Sequence, residues 1–165
     1  MTNRIILLLA AAVTAAAVPA LGRSAAEHDP HQHGRHDAAA TTPDMRTLVQ
    51  FPEALRTHTL ANMRDHLLAL QEIHDALADG RFEVAGEIAE RRLGMSSLER
   101  HGAHEVATYM PEGMQAAGTE MHRAASRFAV AANDAAVTGD MKPVVARLGR
   151  VVQQCVACHS SYRLQ

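Results

Sequence analysis

Cys155 and Cys158 are the only two cysteines in the chain, and His159 follows the second directly, giving Cys155-Val156-Ala157-Cys158-His159. On a helix, residues three apart share a face, so both thiols can bond to one edge of a flat ligand. His159, four residues after Cys155, then carries its imidazole beneath the same ligand. This C-x-x-C-H order is the signature of covalent haem attachment, in which two thioethers hold the porphyrin edge and the histidine holds the iron. The expectation is therefore one haem c, attached through Cys155 and Cys158, with His159 as an axial iron ligand.

Other fates for the thiols fit less well. A redox dithiol sits at a helix N-terminus after a strand, where the helix dipole lowers the thiol pKa. This pair falls near a helix C-terminus, in a chain whose pattern suggests no strands. A structural zinc site needs four ligands and there is no second cysteine pair, although His101 and His104 could contribute if their loop folded onto the end of the helices. A disulfide across one helical turn would be strained and would remove little loop entropy.

The elements that must position this turn are helical. From Phe51, with Pro52 and Glu53 in a first turn, apolar residues recur at intervals of three and four: Leu60, Met63, Leu67, Leu70, Ile73 or His74, and Leu77. Gly80 ends that helix. A second helix is expected over about Arg81 to Leu93, with Phe82, Ala85, Ile88 and Ala89 on one face and Gly94 as its C-terminal cap. The connection from Met95 to Met110 is long, which suggests a cover or a short helical turn. Pro111 and Glu112 open a third helix with the stripe Met114, Ala117, Met121, Ala125, Phe128, Ala132 and Ala135, stopped by Gly139. Asp140 caps a fourth, along which Val144, Leu148, Val151, Cys155, Cys158 and Tyr162 line one side. The fold class expected is all-α, an antiparallel four-helix bundle with the haem near the C-terminal end of the last helix.

Composition sets the remaining bounds. With 47% apolar and 21% charged residues in 165, the chain is globular and has one core. Aromatics are 3% and Trp is absent, so Ala, Leu, Val and eight Met must fill the interior, favouring closely packed helices over sheets. The net charge of -2 gives no basic field for nucleic acid. After Val18 no apolar run is long enough to span a bilayer. Arg4, the apolar run Ile5 to Val18, and Val18-Pro19-Ala20 read as a signal peptide over 1–20, with cleavage as late as 26 as an alternative. Residues 27–46, carrying His28, His31, His33 and His36, read as a flexible linker that could bind a transition metal loosely, and 47–165 as the helical domain.

A helical bundle with C-x-x-C-H on its last helix, followed by Tyr162 and Arg163, resembles the class II cytochromes c, that is, cytochrome c-prime and its low-spin relatives. The resemblance spans Phe51 to the C-terminus, and its strongest motif is Cys155 to Arg163. It implies a periplasmic electron carrier, not an enzyme, whose partners are periplasmic redox proteins, and it allows two copies to pair through their first helices. It also implies a methionine from the first helix as sixth iron ligand, which here is Met63, with His66 as the substitute; core filling is the competing role for Met63. For Arg163 it implies contact with a haem propionate or with the histidine side of the iron. Lys142, Arg147, Arg150 and Arg163, set against Asp140, give the C-terminal segment a positive balance that suits an acidic partner. If the sixth position is vacant, the reading becomes a five-coordinate haem protein that binds or scavenges small gases such as nitric oxide. The third reading is a periplasmic metal-binding protein built on the His28 to His36 segment, with the C-terminal motif serving zinc. The His101 to Glu105 loop is no part of the pattern the resemblance implies.

Overall fold

The computed structural model describes residues 43–165, so the signal segment and the histidines from His28 to His36 lie outside the described residues. The chain is predominantly helical: β1 (Thr47–Val49), α1 (Glu53–Ala78), α2 (Phe82–Arg92), a single 3-10 turn (Met95–Ser97), α3 (Ala103–Ala107), α4 (Glu112–Thr138), α5 (Met141–Ser161) and β2 (Tyr162–Leu164). No helix among the described residues is long and apolar enough to cross a membrane.

The helix boundaries follow from local chemistry. Pro52 and Pro111 immediately precede α1 and α4, where a fixed φ fits and no backbone N–H is needed. At the start of α5 the Asp140 carboxylate accepts the Lys142 backbone N–H at 3.0 Å. Gly139 takes the left-handed conformation, φ 72°, that ends α4 and lets α5 turn back at once. Gly94 works differently from the expected left-handed cap. Its φ is -76°, and glycine is required there because a Cβ would stand 2.7 Å from the Glu90 carbonyl. The long connection does contain helical turns, the 3-10 segment and α3.

The expectation that sheets are absent is corrected. β1 and β2 pair in parallel, with Thr47 opposite Tyr162, Leu48 opposite Arg163 and Val49 opposite Leu164. Strands of three residues are too short to carry a period-two signal, and the pairing joins the two ends of the domain. Tyr162 and Arg163 therefore belong to β2 and not to the last helix.

α4 packs against both α5 and α2, and α1 packs against α2. The main core is Ala-rich: Ala69, Ile73 and Ala76 of α1, Ala85 and Ala89 of α2, Ala125, Phe128 and Ala132 of α4, and Val144 and Val151 of α5 are all buried. Small side chains let helices approach closely. A Cβ on Gly86 of α2 would lie 3.1 Å from the Ala129 carbonyl and 3.1 Å from Asn133 Oδ1 on α4. A second cluster of Val49, Phe51, Val106 and Met114 gathers beneath the small sheet, with Cys158 and Tyr162 against it. The face of α1 is shifted from the leucine stripe. Thr59, His66, Ala69, Ile73 and Ala76 are buried, Met63, Leu70 and Leu77 are half-buried, and Leu67 and His74 are exposed. Against an alanine-rich partner surface, the closest contacts are made by small residues, and the large leucines move to the flank.

Candidate functional site: two adjoining cavities

A cavity of about 450 Å³ lies where α1, α4, α5 and β2 meet. Met63 lines it from α1, Met114 from α4, Cys158 and His159 from α5, and Arg163 from β2. Four of the residues singled out by motif and resemblance are thus brought to one space. Cys155 is the exception: it is half-buried against the main core, its Sγ 3.5 Å from the Val151 carbonyl oxygen, and it does not line the cavity.

Both thiols are free and half-buried. Burial pushes the Cys155 thiol pKa up; burial, then the neighbouring Cys155, does the same for Cys158. That is the reverse of an activated redox pair. The strand-free premise used against such a pair fails, since β2 exists, but β2 follows α5, and the cysteines remain at the C-terminal end of that helix.

His159 is exposed at the cavity mouth, and its backbone carbonyl accepts from Arg46 Nη1 at 3.3 Å. Arg163 lines the cavity while its Nε stands 3.4 Å from Asp44 Oδ2. Asp44 is held mainly by Arg46, which lowers its pKa to about 2. The segment before β1 is thereby tied to the end of α5 and to β2, by a hydrogen bond to the His159 carbonyl and an ion pair with Arg163.

A second cavity of about 160 Å³ adjoins the first and shares Thr59, Met63, Met110 and Gly118 with it. Its wall carries three buried histidines from three separate segments: His66 of α1, His101 from the connection before α3, and His122 of α4. Their ring centres are 4.8 Å (His66 to His101), 5.4 Å (His101 to His122) and 6.1 Å (His66 to His122) apart. His122 Nδ1 is 2.7 Å from the Leu93 carbonyl oxygen, which can only accept, so Nδ1 carries the proton and Nε2 has the lone pair. Ser97 Oγ lies 3.4 Å from Nδ1 of both His101 and His122.

Burial lowers the pKa of His66 to about 4, and the neighbouring His101 and His122 add to the effect. Burial and then His122 bring His101 to about 4. Burial also lowers His122, opposed by its bond to the Leu93 carbonyl. All three rings are therefore neutral near pH 7. His66 Nε2 and Thr59 Oγ1 are buried without a hydrogen-bond partner. As the side chains stand, no group of three or more His, Cys, Asp or Glu among the described residues is arranged to hold a metal ion.

Sequence reasoning did not find this cluster. His66 entered only as a substitute iron ligand, His101 only with His104 as a possible contributor to a zinc site at the cysteine pair, and His122 not at all. His122 directly follows the buried Met121, and a histidine flanking an apolar stripe is no signal until the loop bearing His101 closes over it. His104, the other half of the His101-Gly102-Ala103-His104 segment, is exposed. Comparison with protein-family models, with curated proteins and with solved structures found no match.

Proposed function

We propose that this chain is a periplasmic c-type cytochrome that carries electrons, not an enzyme, with one haem c attached through Cys155 and Cys158 and its iron bound by His159. The observation that carries the reading is the gathering of Met63, Cys158, His159 and Arg163 around one cavity of about 450 Å³, within the usual range for a cofactor pocket. When bound, the haem supplies a one-electron ferric/ferrous couple. The chain's residues do the rest: Met114 and Met63 present apolar walls that exclude water, and Arg163 stands where it can meet a propionate. Cys155, one helical turn before Cys158, reaches the porphyrin edge only if its side chain turns from the main core toward the cavity.

The same reading takes the helices as an antiparallel four-helix bundle, with α1, α2, α4 and α5 as its members. Met63 is the sixth ligand we favour, because it stands on the wall facing α5. Exposure of the His159 edge suits electron exchange with periplasmic redox proteins, and the cations of α5 suit an acidic surface on them. A homodimer through the first helices remains part of this proposal, with the exposed Leu67 and Leu68 of α1 as its contact.

A second reading, a five-coordinate haem that binds small gases, draws support from the adjoining cavity of about 160 Å³ beside Met63, which offers room for a small ligand. The test of both is expression with haem-attachment machinery, followed by mass analysis of the peptide spanning Cys155 to His159 and a reduced-minus-oxidised spectrum. Covalent haem with no binding of carbon monoxide supports the carrier; rapid carbon monoxide binding supports the gas-binding form. A peptide with no added mass overturns both.

A further inference from the structure

We infer that His66, His101 and His122 form a second metal site, separate from the haem motif, that takes one borderline divalent transition-metal ion such as zinc. An ion bound by three ring nitrogens at about 2.0–2.1 Å in tetrahedral directions places the ring centres about 5 Å apart. The observed separations of 4.8, 5.4 and 6.1 Å bracket that figure. The ring centres are thus at the spacing of a common ion, and the imidazoles must reorient before their nitrogens form a ligand set, since as they stand they do not.

Three further observations point to a ligand. His66, 8% exposed, has its Nε2 buried with no partner, and Thr59 Oγ1 is in the same condition on the same cavity wall. Buried polar atoms left unpaired call for a bound ion or water. His122 donates Nδ1–H to the Leu93 carbonyl, the outer contact that fixes a metal-binding histidine's tautomer and leaves Nε2 as the donor nitrogen. The three donors are neutral near pH 7, so binding displaces no proton from them. Three histidines with the remaining coordination position facing a cavity is the pattern of an open zinc site rather than a closed structural one. Imidazole donors suit zinc, copper and nickel and exclude the oxygen-seeking calcium and magnesium.

The site is tested in the full chain as purified, whether or not it carries haem, with His28, His31, His33 and His36 changed to Ser so that the N-terminal histidines cannot contribute. Zinc is titrated in competition with a chromophoric chelator, and thermal unfolding is followed with and without zinc. We expect one equivalent bound, a raised unfolding midpoint with zinc, and a loss of affinity of at least about 100-fold in His101→Gln and in His122→Gln. The haem spectrum of His101→Gln should be unchanged, which separates this site from the iron. Because zinc binding and haem attachment are read independently, failure of one leaves the other standing. No zinc bound in the parent, zinc bound equally well by both variants, or an unfolding midpoint that zinc does not raise overturns the site and leaves the histidines as water-bridged core residues.

Discussion

Arg92 of α2 reaches across to Asp65 of α1, Nη2 to Oδ1 at 2.5 Å, and the same guanidinium bonds the Asp65 backbone carbonyl at 3.1 Å and the Glu72 carboxylate. The Arg92 side chain is only 18% exposed, and Asp65 precedes His66 directly, so this contact ties α2 to the turn of α1 that carries the buried His66.

Arg92→Ala should destabilise the protein by about 1–2 kcal/mol, discounted from a fully buried pair because both carboxylates are two-fifths exposed to screening solvent. Arg92→Lys should recover part of the loss, since an ammonium cannot bond two carboxylates and a carbonyl with one planar fork. Urea unfolding midpoints of the three proteins check the order. An Arg92→Ala midpoint equal to that of the parent would show that the contact adds nothing.

The histidine cluster makes the metal-free protein acid-sensitive. In the folded chain His66 and His101 have pKa values of about 4, below the ordinary histidine value of about 6.5, so between these the unfolded chain binds more protons than the folded one. Stability is therefore full above about pH 6.5 and falls as pH drops toward about 4. His66 alone accounts for on the order of 3 kcal/mol by about pH 4. The groups around it are Asp65, which opposes the shift, and Arg92, His101 and His122, which reinforce it; Arg100 and His58 also press on His101. With chelator present, the slope of unfolding free energy against pH between 4 and 6.5 should flatten in His66→Gln. Parallel slopes for variant and parent would refute the assignment.

Close approach of α2 and α4 depends on Gly86. Gly86→Leu should cost about 2–3 kcal/mol, because the first added carbon already meets the Ala129 carbonyl and the Asn133 side chain at 3.1 Å and the rest has no space. Half-buried Gly118, whose added Cβ would meet nothing within 4 Å, is the control: Gly118→Ala should stabilise by up to about 1 kcal/mol through helix propensity. Thermal unfolding of both checks the contrast.

The extent to which this architecture was legible depended on range. Helix limits were readable because Pro52, Pro111, Gly139 and Asp140 act on their own backbone within a turn. The stripe of α4 was readable because Met114, Met121, Ala125, Phe128, Ala132 and Ala135 repeat on one face and are buried. The burial of α1 was misread at Leu67, since which flank of a helix faces inward depends on the size of residues on α2. The parallel pairing of Thr47–Val49 with Tyr162–Leu164 left no local trace, being a contact between the ends of the domain. For the candidate sites, the C-x-x-C-H order of Cys155, Cys158 and His159 stands in five consecutive residues, whereas the grouping of His66, His101 and His122 exists only after three segments meet.

Met63 is where the two cavities join, and its substitution separates the roles assigned to it. As a half-buried apolar side chain at a cavity wall, its truncation to Ala should cost about 1–2 kcal/mol, less than a fully buried methionine, whatever it binds. As an iron ligand, its loss removes a thioether that favours the ferrous state, so the reduction potential of haem-bearing Met63→Ala should fall and the reduced protein should begin to bind carbon monoxide rapidly. Met63→Leu keeps the volume and removes the sulfur, so it should restore stability while leaving the potential low. If Met63→Leu matches the parent in both potential and carbon monoxide binding, Met63 fills space and nothing more, and the sixth position belongs to another group or to none.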